Sequence, residues 1–520
     1  MKKTIVALLL VLIFALPAFS VCAEERLDFA TDIDLSEPVV INFLVFGDAP
    51  AGEAAVLEKI NEILSAKINT TLNWQRVSWT DWSTVYNLML ATGEDMDLIT
   101  TSASWLGMWE NAGKGAFMDI TELLPKYAPN IYLNTSAEEW NMCKYDGGII
   151  CVPGNHYVQY SNHGMMYRGD WLEEFGMDEI ATIEDLAAYW TKVEEVYGAE
   201  GVVPWNTKGG VGDLQLFYMY EAAYTTHIDI DGLSIGQFPC IQGVSLDDPY
   251  TLCQPLTEDW FVDFAALMKE WADKGFWPTD VMNSSNDARE LLKAGLSASD
   301  EHHVATYTGL VTEIEREENQ PGADLKIFLW SDLSGYIVKE SFLQDAVALS
   351  ANSKNPERAL MVLDLLKEDE ELHLLLNYGI EGVQYVINED GKREEPADFD
   401  TATDTYWSDA WGVREDKFLR LLPSVDDWDG KTEMYATRLD PISVTNPYST
   451  FVFDSSAVTA ELTAVTEAVN RYSPAIQFGK VEDVEEAVNQ LRTALEQAGV
   501  QTLFDEVQRQ MTAYKESLGL

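Results

Sequence analysis

The chain is short of positive charge. Its 520 residues carry 34 Lys and Arg against 87 Asp and Glu, a formal net charge of −53. That argues against a nucleic-acid partner, because phosphate binding rests on clustered cations, and against docking on an anionic membrane surface. Such acidity ordinarily serves solubility, and it leaves room for an anionic ligand held by a few local cations. Metal-binding and nucleotide-binding signatures are also missing. No CxxC pair, HExxH or P-loop occurs, so neither a metal nor a cofactor is expected. Long apolar runs are scarce: beyond Ile5 to Leu16, nothing approaches the roughly 18 residues of a spanning helix. There is no internal repeat and no low-complexity linker.

What is present reads as an exported globular chain. Hydrophobic residues make up 47 % and charged residues 23 %, which excludes disorder. The 16 Trp and 22 Tyr are a rich aromatic supply, most of it expected in the core. Lys2-Lys3, the apolar run and the stretch Pro17 to Ala23 have the layout of a signal peptide over residues 1–23. Val21 and Ala23 suit the soluble secretory peptidase, whereas Phe-Ser-Val before Cys22 resembles a lipobox with Val21 large for its place. Release as a soluble chain and lipidation of Cys22 both stay open. Either way the mature chain is expected outside the cytoplasm, at the cell surface. Four further cysteines, Cys143, Cys151, Cys240 and Cys253, allow three disulfide pairings. The local ones, Cys143–Cys151 and Cys240–Cys253, are expected because each closes a short turn-rich loop, with free buried thiols as the alternative.

The order of elements predicts an α/β fold. Val39 to Phe46 reads as a strand, Glu53 to Ala66 as a helix, Thr71 to Val77 as a strand, Asp81 to Ala91 as a helix and Met96 to Thr101 as a strand. Such a β-α-β-α-β run demands a parallel sheet, in which ligands sit at the carboxyl ends of strands. Those ends carry Gly47-Asp48 and Ser104-Trp105. Cys143 to Trp171 then reads as a hairpin turning over Asp146-Gly147-Gly148, a break at Pro153-Gly154, and a fresh strand at Gly164 to Tyr167. That pattern marks a crossing from one α/β lobe to another. A strand at Val304 to Tyr307 reads as the return. Helices follow at Glu357 to Lys367 and Glu370 to Tyr378, and three helical stripes fill the tail from Val458 to Leu518.

Several segments in this order resemble the extracellular solute-binding proteins of ABC importers, the maltose-binding-type superfamily. They are VINFLVFGDAPAGEAAVLEKIN, LMLATGEDMDLITT, AFMDITELLPKYAPN, YDGGIICVPG with MMYRGDWLEEFG, LSANSKNPERALMVLDLL and NYGIEGVQYVI. The tail from NPYSTFVFDSSAVTAEL onward resembles the C-terminal domain of the oligosaccharide lipoprotein branch, which includes aldouronate and mannan-fragment binders. The resemblance implies a two-lobed periplasmic-binding-protein-like fold of type II with a helical C-terminal extension. Lobe 1 would take 37–156 and 296–350, lobe 2 would take 157–295 and 351–400, and 401–520 would pack on lobe 2 and the hinge. It also implies a monomer that captures an oligosaccharide between the lobes and hands it to the transmembrane subunits of an ABC permease. By position, the ligand loops fall on Asp48, Ser104, Trp105, Trp205, Asn206, Tyr307, Tyr406, Trp407 and Trp411.

Competing chemistry is thin. Gly232 to Gly236 matches G-x-S-x-G, but Gln237-Phe238-Pro239 after it opens a helix poorly. Asp427 and Asp429 resemble part of a calcium loop, yet Val425 and Ala436 stand where acids belong. His302 and His303, adjacent in a strand, would face opposite ways and make no metal pair. A peptide-binding protein, a sensor-associated binding protein and a secreted glycan-active enzyme remain as alternatives to the importer reading.

Overall fold

The computed structural model describes residues 26–520 apart from 80–81, 94, 104, 155–162, 210–214, 231–232, 234–237, 305, 308–309, 312–313, 315–319, 340–341 and 419–433. The export signal, Cys22, Ser104, the calcium-like stretch and all of 232–236 except Leu233 lie outside the described residues.

The chain opens as its sequence predicts. β1 (Val39–Phe46) and β2 (Thr70–Val77) run parallel in unbroken register from Val39 opposite Thr70 to Phe46 opposite Val77. Between them α1 (Glu53–Ile68) buries Val56, Ile60, Leu64 and Ile68, a four-residue spacing that puts one stripe on the sheet. α2 (Trp82–Thr92) leads to β3 (Leu98–Thr101), parallel to β1. The hairpin after it is tighter than expected. Tyr145 pairs with Gly148, and the two-residue turn Asp146-Gly147 has both residues at positive φ, +49° and +84°. The Ile150 N–H donates to the Cys143 carbonyl at 3.0 Å.

β4 (Cys151–Pro153) ends the first lobe's first pass, and β5 (His163–Arg168) begins the second lobe. α3 (Ile183–Tyr197) starts on a capping box of Thr182 and Asp185. α4 (Gln215–Tyr224), α5 (Trp260–Asp273), β6 (Ser299–His303) and β7 (Leu325–Leu329) complete that lobe. β5 is the central strand, antiparallel to β6 on one side and β7 on the other. The chain then returns through β8 (Ala346–Leu349), giving the first sheet the order β2-β1-β3-β8-β4. α6 (Pro356–Glu368) and α7 (Glu370–Tyr378) pack into the first core. The tail helices α8 (Thr459–Gln477), α9 (Val484–Ala498) and α10 (Val500–Ser517) share the second core with Trp190, Phe217, Phe264 and Trp271.

Three boundaries differ from the sequence expectation. Residues 299–303, expected in the first lobe, belong to the second because β6 pairs with β5 from Ser299–Tyr167 to His303–His163. Where a strand was expected at 304–307, Val304, Thr306 and Tyr307 are helical. Residues 356–378, expected in the second lobe, lie in the first core with Leu360, Leu363, Leu366 and Leu376 buried against the sheet. The return is made later, at 339–346, where Gly154 N–H donates to the carbonyls of Phe342 (3.2 Å) and Asp345 (2.8 Å). That sets the chain at Gly154 beside the return segment at Phe342 and Asp345.

The four cysteines are free thiols, against the disulfide expectation. Cys143 and Cys151 are buried with their sulfurs in hydrogen-bond contact, and burial pushes the Cys143 thiol well up. At the other pair, the strand register sets Cys253 opposite Gln242 rather than Cys240.

Candidate ligand-binding site

The carboxyl ends of β1, β2 and β3 converge, and each delivers an aromatic ring. Phe46 is the last residue of β1, Trp79 follows β2, and Trp105 follows β3. Trp411 reaches the same place from a 3-10 turn (Trp411–Val413), and Trp82 from the start of α2. The rings form a stack. Phe46 and Trp79 lie 5.4 Å apart at 22°, Trp79 and Trp411 5.8 Å apart at 21°, and Phe46 and Trp411 6.5 Å apart at 6°. Trp105 leans across them, 6.0 Å from both Trp79 and Trp411, and Trp82 meets it edge-on at 5.2 Å. Rings at these distances and angles are in favourable offset or edge contact. Phe46 is fully buried at the base, whereas Trp79 keeps 47 % of its surface exposed.

An ion-pair cluster holds the stack from below. Arg76, near the end of β2, pairs with Glu53 at the start of α1 and with Asp409 at 2.6 Å. Its guanidinium also donates to the carbonyls of Phe46 (3.0 Å) and Gly47 (3.3 Å). One arginine thus ties the end of β1, the start of α1 and the segment that carries Trp411. Burial works against the charge on Arg76, but the two carboxylates outweigh it and raise its pKa. Burial raises the Asp409 carboxyl, with Arg76 opposing. Gly47 sits at φ +84°, where a β-carbon would lie 3.1 Å from Trp79 Nε1 and 3.3 Å from Asp409 Oδ2. Asp48 beside it is exposed, and its carboxylate can accept hydrogen bonds. Stacked indoles can take the apolar C–H face of a sugar ring, and carboxylates at the rim can accept from its hydroxyls.

The residues expected from sequence divide clearly. Trp105 and Trp411 belong to the stack, Asp48 lies at its edge, and Trp407 is 48 % exposed. Tyr406 is packed on the first core, with its hydroxyl donating to the Leu376 carbonyl at 2.7 Å. Trp205 is a correction: only 2 % exposed, it packs on Trp190, Trp277 and the tail's Phe478 as part of the second core. Asn206 is buried as a loop brace, donating to the Leu296 carbonyl (3.0 Å) and accepting from Asn286 (2.6 Å). Tyr307 is buried too, its hydroxyl donating to the Leu325 carbonyl at 2.7 Å. A separate groove between α1 and α7 is lined by Lys59, Glu62, Glu381 and Tyr385. Sequence reasoning missed Trp79 and Trp82. Trp79 could have been found by applying to β2 the same strand-end rule that selected Trp105.

His302 and His303 also depart from expectation. Their rings lie 4.2 Å apart, because the strand ends there and Thr306 turns back to bond both, through its N–H to His303 (3.3 Å) and its hydroxyl to His302 (2.8 Å).

Known proteins place this architecture. Residues 53–371 match the family described as bacterial extracellular solute-binding protein, more than half of the chain. The chain belongs to the bacterial extracellular solute-binding proteins. Residues 447–516, covering α8 to α10, match a domain of unknown function (DUF3502). A curated relative, the carbohydrate ABC transporter substrate-binding protein of Streptococcus pneumoniae serotype 4, is 23 % identical over 484 residues, 92 % of this chain and 91 % of its own. Among solved structures, the N-glycan transport solute binding protein NgtS of S. pneumoniae in complex with Man1GlcNAc superposes with a TM-score of 0.72. It is 20 % identical, over 92 % of this chain and 99 % of that one. The S. pneumoniae substrate binding protein FusA in complex with kestose gives 0.65 at 14 % identity, over 92 % and 100 %. The fold of this solute-binding protein is therefore the two-lobed one, and its family is one of binding proteins rather than enzymes. Among the described residues no helix is long and apolar enough to cross a membrane.

Proposed function

We propose that this solute-binding protein is the extracellular substrate-binding component of an ABC importer and captures an oligosaccharide between its lobes. The observation that carries the reading is the aromatic cluster at the strand ends of the first sheet, with Trp79 half exposed and the exposed Asp48 carboxylate close by in sequence. Flat, parallel aromatic faces suit the C–H faces of sugar rings, whereas an extended peptide would call for a line of backbone donors and acceptors. The likeness to carbohydrate-binding relatives supports the same class of ligand. Capture would close the second lobe over Asp48, Trp79, Trp105, Trp407 and Trp411, and the closed form would be what the permease recognises.

The test is thermal melting and intrinsic-fluorescence titration of the mature chain against panels of oligosaccharides and of peptides. A ligand present at a hundredfold excess over Kd stabilises the folded state by about 2.7 kcal/mol, so a hit is visible as a raised melting temperature. Trp79→Ala removes one half-exposed ring of the cluster and is expected to weaken the hit about tenfold, or ~1.4 kcal/mol, without loss of fold. A response confined to peptides, or one unchanged in Trp79→Ala, would overturn the assignment.

A further inference from the structure

A second cluster of chemistry lies in the second lobe, on elements that take no part in the indole stack. His227 follows α4, Glu258 stands just before α5, and Cys253 sits on a short strand paired with Gln242. One ligand atom from each of His227, Cys253 and Glu258 falls within 4.8 Å of the other two. His227 Nε2 is 3.5 Å from Glu258 Oε1, and its Nδ1 is 3.6 Å from Glu221 Oε1. Both separations are longer than the roughly 2.7–2.9 Å of a close charge-assisted hydrogen bond. The first is the spacing of two ligands on one tetrahedral ion with bonds of about 2.0–2.2 Å.

The surroundings are built in the same sense. Each carboxylate has one oxygen anchored and the other turned to the histidine. Glu221 Oε2 accepts from the Gln242 amide at 3.0 Å, and Glu258 Oε2 from the Trp260 indole at 3.0 Å. Buried Glu221 Oε1, His227 Nδ1 and Gln242 Oε1 have no hydrogen-bond partner among the described residues. Buried polar groups left without a partner are costly unless something satisfies them.

We propose that His227, Cys253 and Glu258 bind a zinc ion, with Glu221 as the outer carboxylate that orients His227 through Nδ1–H. A thiolate, an imidazole and a carboxylate are a zinc donor set, whereas calcium and magnesium take oxygen ligands throughout. Three protein ligands leave a fourth position for water or a small ligand. On binding, the Cys253 thiol and the Nε2 position of His227 give up their protons to solvent, so occupancy releases protons. The ion would cross-link the turn after α4, the strand at Cys253 and the start of α5. A carboxylate on the far side of the ring fixes both tautomer and ring orientation, as outer ligands commonly do.

The test uses the mature chain, stripped with a chelator and titrated with zinc and, for its spectrum, cobalt(II). The expected result is one zinc per chain, a cobalt complex with a thiolate charge-transfer band, and protection of Cys253 from alkylation. Cys253→Ser and Glu258→Gln are each expected to lose stoichiometric uptake. Glu258→Gln, at a partly exposed side chain, guards against a variant that merely fails to fold. Failure of the wild-type chain to take up one equivalent, or retention of that uptake in both variants, would overturn the proposal. Oligosaccharide binding is read separately and need not follow either outcome.

Discussion

At the scale of single residues, Gly47 shows how little room the site leaves. Its φ of +84° lies in the left-handed region, and a β-carbon there would press on Trp79 Nε1 and Asp409 Oδ2 at 3.1 and 3.3 Å. Gly47→Ala is expected to cost about 1–3 kcal/mol from backbone conformation alone. It should also weaken ligand binding by displacing Trp79, and urea unfolding beside a ligand titration reads the two effects apart. Unchanged affinity would mean that Trp79 does not need the bend. His373 illustrates a different residue effect. It is buried, with Nδ1 3.2 Å from the Leu366 carbonyl and Nε2 3.2 Å from the Asn377 amide, which together satisfy the neutral ring. Burial first, and Lys367 next, push its pKa down to about 3. The unfolded chain, with a histidine near 6.5, binds more protons between those values. Stability is therefore complete above about pH 6.5 and is lost as pH falls toward 3, by about 2 kcal/mol at pH 5. His373→Gln should flatten that part of the pH–stability curve in chemical denaturation; an unaltered slope would assign the loss to other groups. Asp300, whose carboxyl is raised to about 7 mainly by burial, contributes in the opposite sense, because acid relieves it.

At the scale of elements, α6 explains both a success and a failure of sequence reading. Its start at Asn355-Pro356 and its length are legible, since proline suits the first turn and the apolar residues are dense. Its lobe is not, because Arg358, Asp364, Lys367 and Glu368 look like a solvated face and are all buried. Each has a long-range partner that no local pattern shows. Arg358 donates to the carbonyls of Ile68 and Asn69 at the end of α1, and Asp364 accepts from Arg26, Asn130 and Ile131. Lys367 matters most for the site. Its ammonium pairs with Glu415 at 3.0 Å and donates to the carbonyls of Gly412 (3.4 Å) and Arg414 (3.2 Å), pinning the turn that presents Trp411. Lys367→Met keeps the stem and leaves Glu415 uncompensated. Loss of one partner of a buried pair costs about 3–5 kcal/mol. The variant should melt earlier and bind ligand more weakly, and a variant with normal affinity would show that the turn holds without this tether. The site's aromatics were only partly legible for a related reason. Trp105, Trp205 and Trp411 all follow strand ends or turns, but Phe478 of the tail covers Trp205, and that contact joins residues far apart in sequence.

At the scale of the whole molecule, two lobes joined where the chain crosses after Pro153 and again before β8 make relative motion of the lobes the mechanical consequence of the fold. The first core holds the sheet whose strand ends carry the stack, and the second holds the three tail helices, so the tail moves with the lobe that must close. The order of strands and the crossing after Pro153 could be read from turn residues and periodicity. The return crossing could not, because β6 and β8 are both short and only pairing assigns them to different sheets. Closure on ligand gives the last prediction. A compact chain of this length has a radius of gyration of about 24 Å, and an open two-lobed form must lie above that value. Small-angle scattering of the mature chain should show the radius fall toward it on saturation with a bound oligosaccharide. Trp411→Ala, which removes one ring of the cluster, should need more ligand to reach the same compact form. A ligand that binds with no change of radius would place capture on one lobe alone, and the permease would then have no closed form to recognise.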